Sequence, residues 1–204
     1  MGKIEIGIIG GTRGMGKWLA HFFQSEGLTV HISGRSSGMS PKEMARICQV
    51  IVIAVPIAET INTIKKVGAH MRTGSLLMDV TSLKEKEVAT MLIETKADVI
   101  GCHPLFGPRI RSLKGRNVIL CPAKGKRWIA WIETMLIKHG AFVTKTTPKN
   151  HDEMMALVQV LNHFNTISMG VALSNTGVSF AQLEPYITPV FETKVRLIKK
   201  IFSK

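Results

Sequence analysis

The stretch GCHPLFGP, residues 101–108, sets a titratable imidazole at the end of an apolar run and then turns the chain with proline and glycine. His103 stands there either as a polar loop residue or as a base, because a near-neutral imidazole is matched to proton transfer at working pH. A second chemical signature opens the chain. In GIIGGTRGMGKWLA, glycines follow a short β-branched run and precede helical spacing through Met15, Leu19, Phe22 and Phe23. Missing side chains let backbone N–H groups approach a pyrophosphate, whose charge then sits at the helix N-terminus. The spacing G-x-G-x-x-G maps onto Gly11, Arg13 and Gly16 with arginine in the middle, whereas Gly10, Gly14 and Gly16 give G-x-x-x-G-x-G. The competing reading is a tight turn that binds nothing.

The next apolar run, LTVHIS, leads into GRSSG with no acidic residue to accept from ribose hydroxyls. Ser33, Arg35 and Ser36 can donate to phosphate oxygens, and Arg13 reaches toward the same side, which favours NADP over NAD. With Gly10, Gly11, Thr12, Gly14, Met15 and Gly16 they form the candidate cofactor site. For Arg35 the alternative is a solvated loop arginine.

These residues need a frame. Short apolar runs at 3–9, 28–33, 49–56, 75–80 and 97–102 alternate with helical spacing, and QVIVIAVP is continuous enough for a strand buried on both faces. The alternation predicts right-handed crossovers and a mainly parallel sheet: an α/β fold, Rossmann-type and doubly wound. Runs at 115–122 and 141–146, flanking a helix at 124–139, extend the same sheet. The period then changes. Thr147 caps a helix that has Pro148 at its first position and apolar spacing to about residue 173, and VFETKVRLIKKIFSK forms another. Two helices cannot enclose a core, so they are expected to pack on a partner chain or on a continuation. The reading divides the chain into a dinucleotide-binding domain, 1–147, and a C-terminal helical substrate and dimerisation segment, 148–204.

Composition narrows the classes. Of 204 residues, 45% are apolar and spread throughout, which argues against disorder, and no apolar run is long enough for a spanning helix. Neither a signal peptide nor a membrane anchor fits the N-terminus. The three cysteines are an odd number without metal-ligand spacing, so no metal site is expected and a reducing cytoplasm suits them. The net charge of +13 is scattered and carries few interleaved aromatics, so anionic small molecules explain it as well as nucleic acid does.

GGTRGMGK resembles the opening of the short-chain dehydrogenases, but that chemistry needs Tyr-x-x-x-Lys, and Val190 stands four residues after the sole tyrosine, Tyr186. Beyond the turn the chain resembles the prephenate dehydrogenase family, including arogenate and cyclohexadienyl dehydrogenases. VIVIAVPI (50–57), DVTSLKEKEV (79–88), GCHPLFGP (101–108) and HDEMMALVQVLNHF (151–164) carry the resemblance, in that order. It implies oxidative decarboxylation of prephenate to 4-hydroxyphenylpyruvate, a step of tyrosine biosynthesis, by hydride transfer to NADP or NAD in a cytoplasmic homodimer. It also implies that His103 accepts the substrate hydroxyl proton and that Ser82 shares that hydroxyl or the carboxamide. Val55 and Pro56 would border the cofactor, and Gln159 and His163, four apart on one helical face, would line the substrate pocket.

Each of these has a plainer alternative. Ser82 can cap the helix beginning near Lys84, and Lys84 either steers an anion or is solvated. Gln159 and His163 can be polar residues at a helix interface, while His151 and Asp152 suit a structural charge and capping role. The chain also departs from the family. Many relatives place an arginine for the substrate carboxylate in SPxYR or SPxFR, but here the segment reads TPVFE, with Glu192, and a carboxylate cannot replace a guanidinium clamp. Lys194 or Arg196 could substitute. Two other readings follow: a deazaflavin-dependent NADP oxidoreductase, whose opening turn is similar, and a non-catalytic NADP-binding module that lost its clamp.

Overall fold

The computed structural model describes residues 4–35 and 38–202 and divides into two compact units, Met1–Asp152 and Glu153–Lys204. Ser36, read as a phosphate donor, lies outside the described residues. The first unit is a seven-stranded sheet in the order β2-β1-β3-β4-β5-β6-β7. Its strands are β1 (Glu5–Ile9), β2 (Thr29–Ser33), β3 (Val50–Ile53), β4 (Leu76–Asp79), β5 (Asp98–Pro104), β6 (Asn117–Lys124) and β7 (Phe142–Lys145). The helices between them are α1 (Gly14–Ser25), α2 (Pro41–Ile47), α3 (Ile57–Gly68), α4 (Glu85–Glu94) and α5 (Arg127–Lys138).

Period-two alternation sorts the strand residues onto two cores. Ile6, Ile8, Val50, Val52, Leu76 and Met78 face Phe23 of α1 and Trp128 of α5. Ile51, Ile53, Leu77 and Val99 face Met44, Ile64 and Met91 of α2, α3 and α4. Each fully buried isoleucine contributes roughly 1.5–3 kcal/mol, so a sheet covered on both sides is the stable solution for these runs. Local signals agree: Ser40 and Glu43 cap each other's backbone around Pro41 at the start of α2.

β1 to β5 are parallel, so their carboxyl ends share one edge. β6 runs antiparallel to β5. No helix separates them, and a strand returned by a plain loop pairs antiparallel, whereas a parallel return needs a crossover. The loop is pinned by Phe106, whose ring meets Trp18 edge-on at 5.2 Å, and by the Trp18 indole N–H, which donates to the Ile110 carbonyl at 3.1 Å. Pro104 continues β5, while Gly107 has neither a left-handed φ nor a neighbour within 4 Å of a built Cβ. Tryptophan contacts therefore fix this loop, not glycine geometry.

The unit boundary falls inside α6 (Pro148–Met155), whose first turn is capped by the Thr147 hydroxyl accepting from the Asn150 N–H. A π turn, Ala156–Val160, interrupts the single helix expected here and leads into α7 (Leu161–Asn175). The short α8 (Phe180–Leu183) and a 3-10 turn, Glu184–Tyr186, precede α9 (Pro189–Phe202). Within this second unit, Leu157, Val158, Leu161, Phe164 and Val190 are exposed. No described helix is long and apolar enough to cross a membrane.

Candidate active site

The strand order reverses between β1 and β3, and open α/β sheets bind ligands in the crevice at that point. The glycine turn occupies it. Gly10 has φ +88, and a Cβ there would lie 2.6 Å from the Ala54 carbonyl oxygen, so only glycine lets the β1 and β3 ends close together. A Cβ on Gly16 would collide with the Gly10 carbonyl, and Gly14, at φ +58, faces open space. The conformational demand thus falls on Gly10, Gly14 and Gly16, the G-x-x-x-G-x-G spacing. Ahead of α1, the extended Arg13 makes no side-chain cap bond, and the first turn holds no acid. Its N–H groups are left for an anion, so these residues fit a dinucleotide pyrophosphate. Thr12, Arg13 and Arg35 are exposed, and Met15 packs partly on the core. Ser33 is buried, and its carbonyl accepts from the N–H groups of Gly10 and Gly11 at 2.8 and 3.2 Å. Val55 is half-buried, and Pro56, exposed, precedes α3.

Three strand intervals along the same edge, about 14 Å at sheet spacing, lies His103 on β5. Its Nδ1 is 2.9 Å from Nε2 of His151, whose Nδ1 is 2.7 Å from Oδ1 of Asp152. Asp152 also accepts from the backbone N–H groups of Lys84 at 2.9 Å and Glu85 at 3.0 Å, and so caps α4 from 68 residues away. Ser82 does not fill that role; it is half-buried and makes no side-chain hydrogen bond among the described residues. Lys84 is 0% exposed, which excludes the solvated alternative. Its Nζ donates to Asp79 and, at 3.3 Å, to Thr81. A Cβ on Gly101 would lie 2.8 Å from Lys84 Cδ, so that glycine lets the lysine stem cross β5.

Burial pushes His103 down to about 4 from its ordinary 6.5, reinforced by His151 and Lys84 and opposed by Asp152. Burial also pushes the Asp152 carboxyl up, but the bonds from Glu85, His151 and Lys84 outweigh it and hold the group below its usual range. Two side-chain atoms are both sealed and unpaired among the described residues, Asp79 Oδ1 and Glu87 Oε2. His103, 6% exposed, makes its one side-chain hydrogen bond through Nδ1, and its Nε2 bonds no described residue. The arrangement is a neutral, oriented imidazole on the ligand-binding edge of the sheet.

Two family models match. One, described as prephenate dehydrogenase, nucleotide-binding domain, covers residues 20–145, and one described as prephenate dehydrogenase, dimerization domain, covers 147–201. The chain belongs to the prephenate dehydrogenase family. It is 35% identical to a probable arogenate/prephenate dehydrogenase of Methanocaldococcus jannaschii, over 99% of this chain and 50% of that protein. It is 28% identical to the T-protein of Haemophilus influenzae, over 98% of this chain and 53% of that protein. The chain thus spans about half the length of these curated relatives. Among solved structures, prephenate dehydrogenase from A. aeolicus, in complex with hydroxyphenyl propionate and NAD+, superposes with a TM-score of 0.77 at 18% identity. That match covers 98% of this chain and 79% of the other, and it shows the shared fold.

Membership in the prephenate dehydrogenase family sets aside the deazaflavin reading of the opening turn. Within the first unit the structure brings together His103 and Lys84 with His151 and Asp152, the pair expected in a structural charge and capping role, and it adds Asp79 and Thr81. Gln159 lies in the π turn, half-buried, and His163 is exposed on α7. In α9, Glu192 pairs with Arg196 at 3.6 Å. Lys194 lines a cavity of about 130 Å³ with Asn162, Asn165 and Thr166, small beside the 300–1,000 Å³ typical of ligand pockets.

Proposed function

We propose that this chain oxidatively decarboxylates prephenate by hydride transfer, with NADP preferred to NAD. The observation that carries the reading is His103 on the carboxyl edge of the sheet, with Nδ1 held by His151 and Nε2 bonded to no described residue. Gly10 to Gly16 would hold the pyrophosphate at the start of α1, and Arg35 and Arg13 would meet a 2′-phosphate. Bound there, the nicotinamide supplies a hydride acceptor. His103 then takes the proton of the ring hydroxyl, and Ser82, on the loop after β4, orients that hydroxyl. Loss of the carboxylate makes the ring aromatic and drives the step forward.

Residues 1–147 form the dinucleotide domain in this reading, and 148–204 are the helical substrate and dimerisation segment that carries Gln159 and His163. The exposed apolar residues of the second unit serve a homodimer, as the family description of that segment suggests. The cytoplasm suits the three buried thiols. Arogenate is the competing substrate, since the M. jannaschii relative carries both names. A non-catalytic NADP-binding module is favoured only by Glu192, which occupies the place of the family's arginine. Spectrophotometric reduction of NADP and NAD with each acid tests all three. Turnover of prephenate that Arg35→Ala weakens far more with NADP than with NAD is the expected result. Dinucleotide binding without turnover of either acid would leave the binding module.

A further inference from the structure

Tautomers in a hydrogen-bonded imidazole chain are not independent choices. A carboxylate only accepts, so Nδ1 of His151, 2.7 Å from Asp152 Oδ1, donates. Neutral His151 then has only a lone pair at Nε2, and that atom lies 2.9 Å from Nδ1 of His103. Nδ1 of His103 must donate in turn, which leaves the lone pair of the neutral ring on Nε2, the nitrogen that bonds no other described residue.

We infer that His151 and Asp152 are positioning residues that hold His103 in its Nδ1–H tautomer and store the proton its Nε2 takes from the substrate. The inference rests on the dehydrogenase reading above. Oxidative decarboxylation of a ring alcohol to a phenol releases no net proton, so a proton borrowed from the hydroxyl has to be given back. As the ring C–H pair leaves as hydride, the hydroxyl oxygen becomes carbonyl-like and its proton passes to Nε2 of His103. The Nδ1 proton of His103 moves to Nε2 of His151, and positive charge comes to rest beside Asp152. When the bond to the departing carboxylate supplies its electron pair to the ring, the oxygen regains a full pair and takes the proton back.

The charges around the pair favour that direction. Lys84, from the start of α4, disfavours a cation on His103, while Asp152 of α6 favours one on His151. Asp79 of β4 is committed to Lys84 and Thr81. Burial raises the Glu87 carboxyl of α4 and the thiols of Cys102 on β5 and Cys121 on β6.

Asp152→Asn in the full chain removes the charge and keeps an oxygen able to cap α4. The expected result is a fall in kcat of roughly tenfold or more, with the acid limb of kcat/KM moved to lower pH because the protonated pair has lost its carboxylate. His151→Gln, whose Oε1 still accepts from Nδ1 but cannot hold a proton, should lower kcat with dinucleotide KM unchanged. A lowered thermal midpoint with an unmoved acid limb would reduce both residues to scaffolding and overturn the inference. Nitrogen-15 NMR of the histidine rings in the substrate-free wild type gives an arm independent of turnover. It should show His103 as the Nδ1–H tautomer with Nδ1 of His151 also carrying its proton; an Nε2–H tautomer of either ring overturns the relay. If wild type oxidises neither acid while the rings show the expected tautomers, the dehydrogenase reading falls and the hydrogen-bond chain stands.

Discussion

Acid should destabilise this fold through His103 by an amount that can be worked out. The ring is 6% exposed, and burial, with His151 and Lys84 beside it, lowers its pKa from 6.5 to about 4. One pKa unit corresponds to about 1.4 kcal/mol, so the gap amounts to about 3 kcal/mol. Below pH 6.5 the unfolded chain binds a proton that the folded chain refuses until about pH 4. Stability is therefore complete above pH 6.5, declines by about 1.4 kcal/mol per pH unit as acid is added, and is fully lost from this source below about pH 4. Glu87 pulls the other way, because burial raises its carboxyl and deprotonation costs the folded state as pH rises. That contribution is common to wild type and His103→Asn, and subtraction removes it. Urea unfolding of both proteins at intervals between pH 4 and 7.5 is the assay. The wild type should lose about 3 kcal/mol more than the variant across the window. Parallel curves would mean that His103 is solvated as readily in the folded state as in the unfolded, and the buried, neutral base would be wrong.

Lys84→Met would leave the Asp79 carboxylate buried without its cation and cost about 3–5 kcal/mol in urea unfolding; adding Asp79→Asn should recover part of that loss, and equal instability of single and double variants would deny the pairing. Gly16→Ala drives a methyl group into the Gly10 carbonyl and should cost about 1–3 kcal/mol or more. Gly14→Ala meets open space and only the left-handed backbone penalty of about 1–2 kcal/mol, so a reversed ranking by chemical denaturation would contradict the turn geometry. Burial raises Cys48 and Cys121 to about 11 and Cys102 to about 12. At pH 8 about one thiol in a thousand or fewer is then ionised, and an aromatic disulfide reagent should label none until the protein is unfolded.

Where element identity follows from neighbours in sequence, reading and structure coincide. QVIVIAVP can be satisfied only between two covering layers, and its strand β3 is buried at every position. Strand direction is different. GRNVILCP has the composition of its parallel neighbours, and its reversal is decided by the connection, residues 105–116, which holds no helix. The π turn at 156–160 carries ordinary helical spacing, so nothing local marks where the extra residue enters the turn.

The site divides along the same line. His103 was legible because it ends an apolar strand on the ligand-binding edge, but its partners lie 48 residues away, and only the folded sheet brings α6 to β5. Lys84 misleads by type, since lysine is ordinarily solvated. The clues to its burial were a glycine in the apolar run ADVIGC and an aspartate five residues upstream. Asp152 was legible as a capping residue but not as the cap of a helix 68 residues away, and it is the residue most constrained. Its two oxygens take the Lys84 N–H, the Glu85 N–H and the His151 ring at once, so no single partner can be satisfied by moving it. A charge fixed that way costs no reorganisation when a proton arrives, which is the condition for electrostatic help during a reaction. The cap on α4 is thus part of what holds the imidazole chain in place, and the stability of the fold and the orientation of its base depend on the same carboxylate.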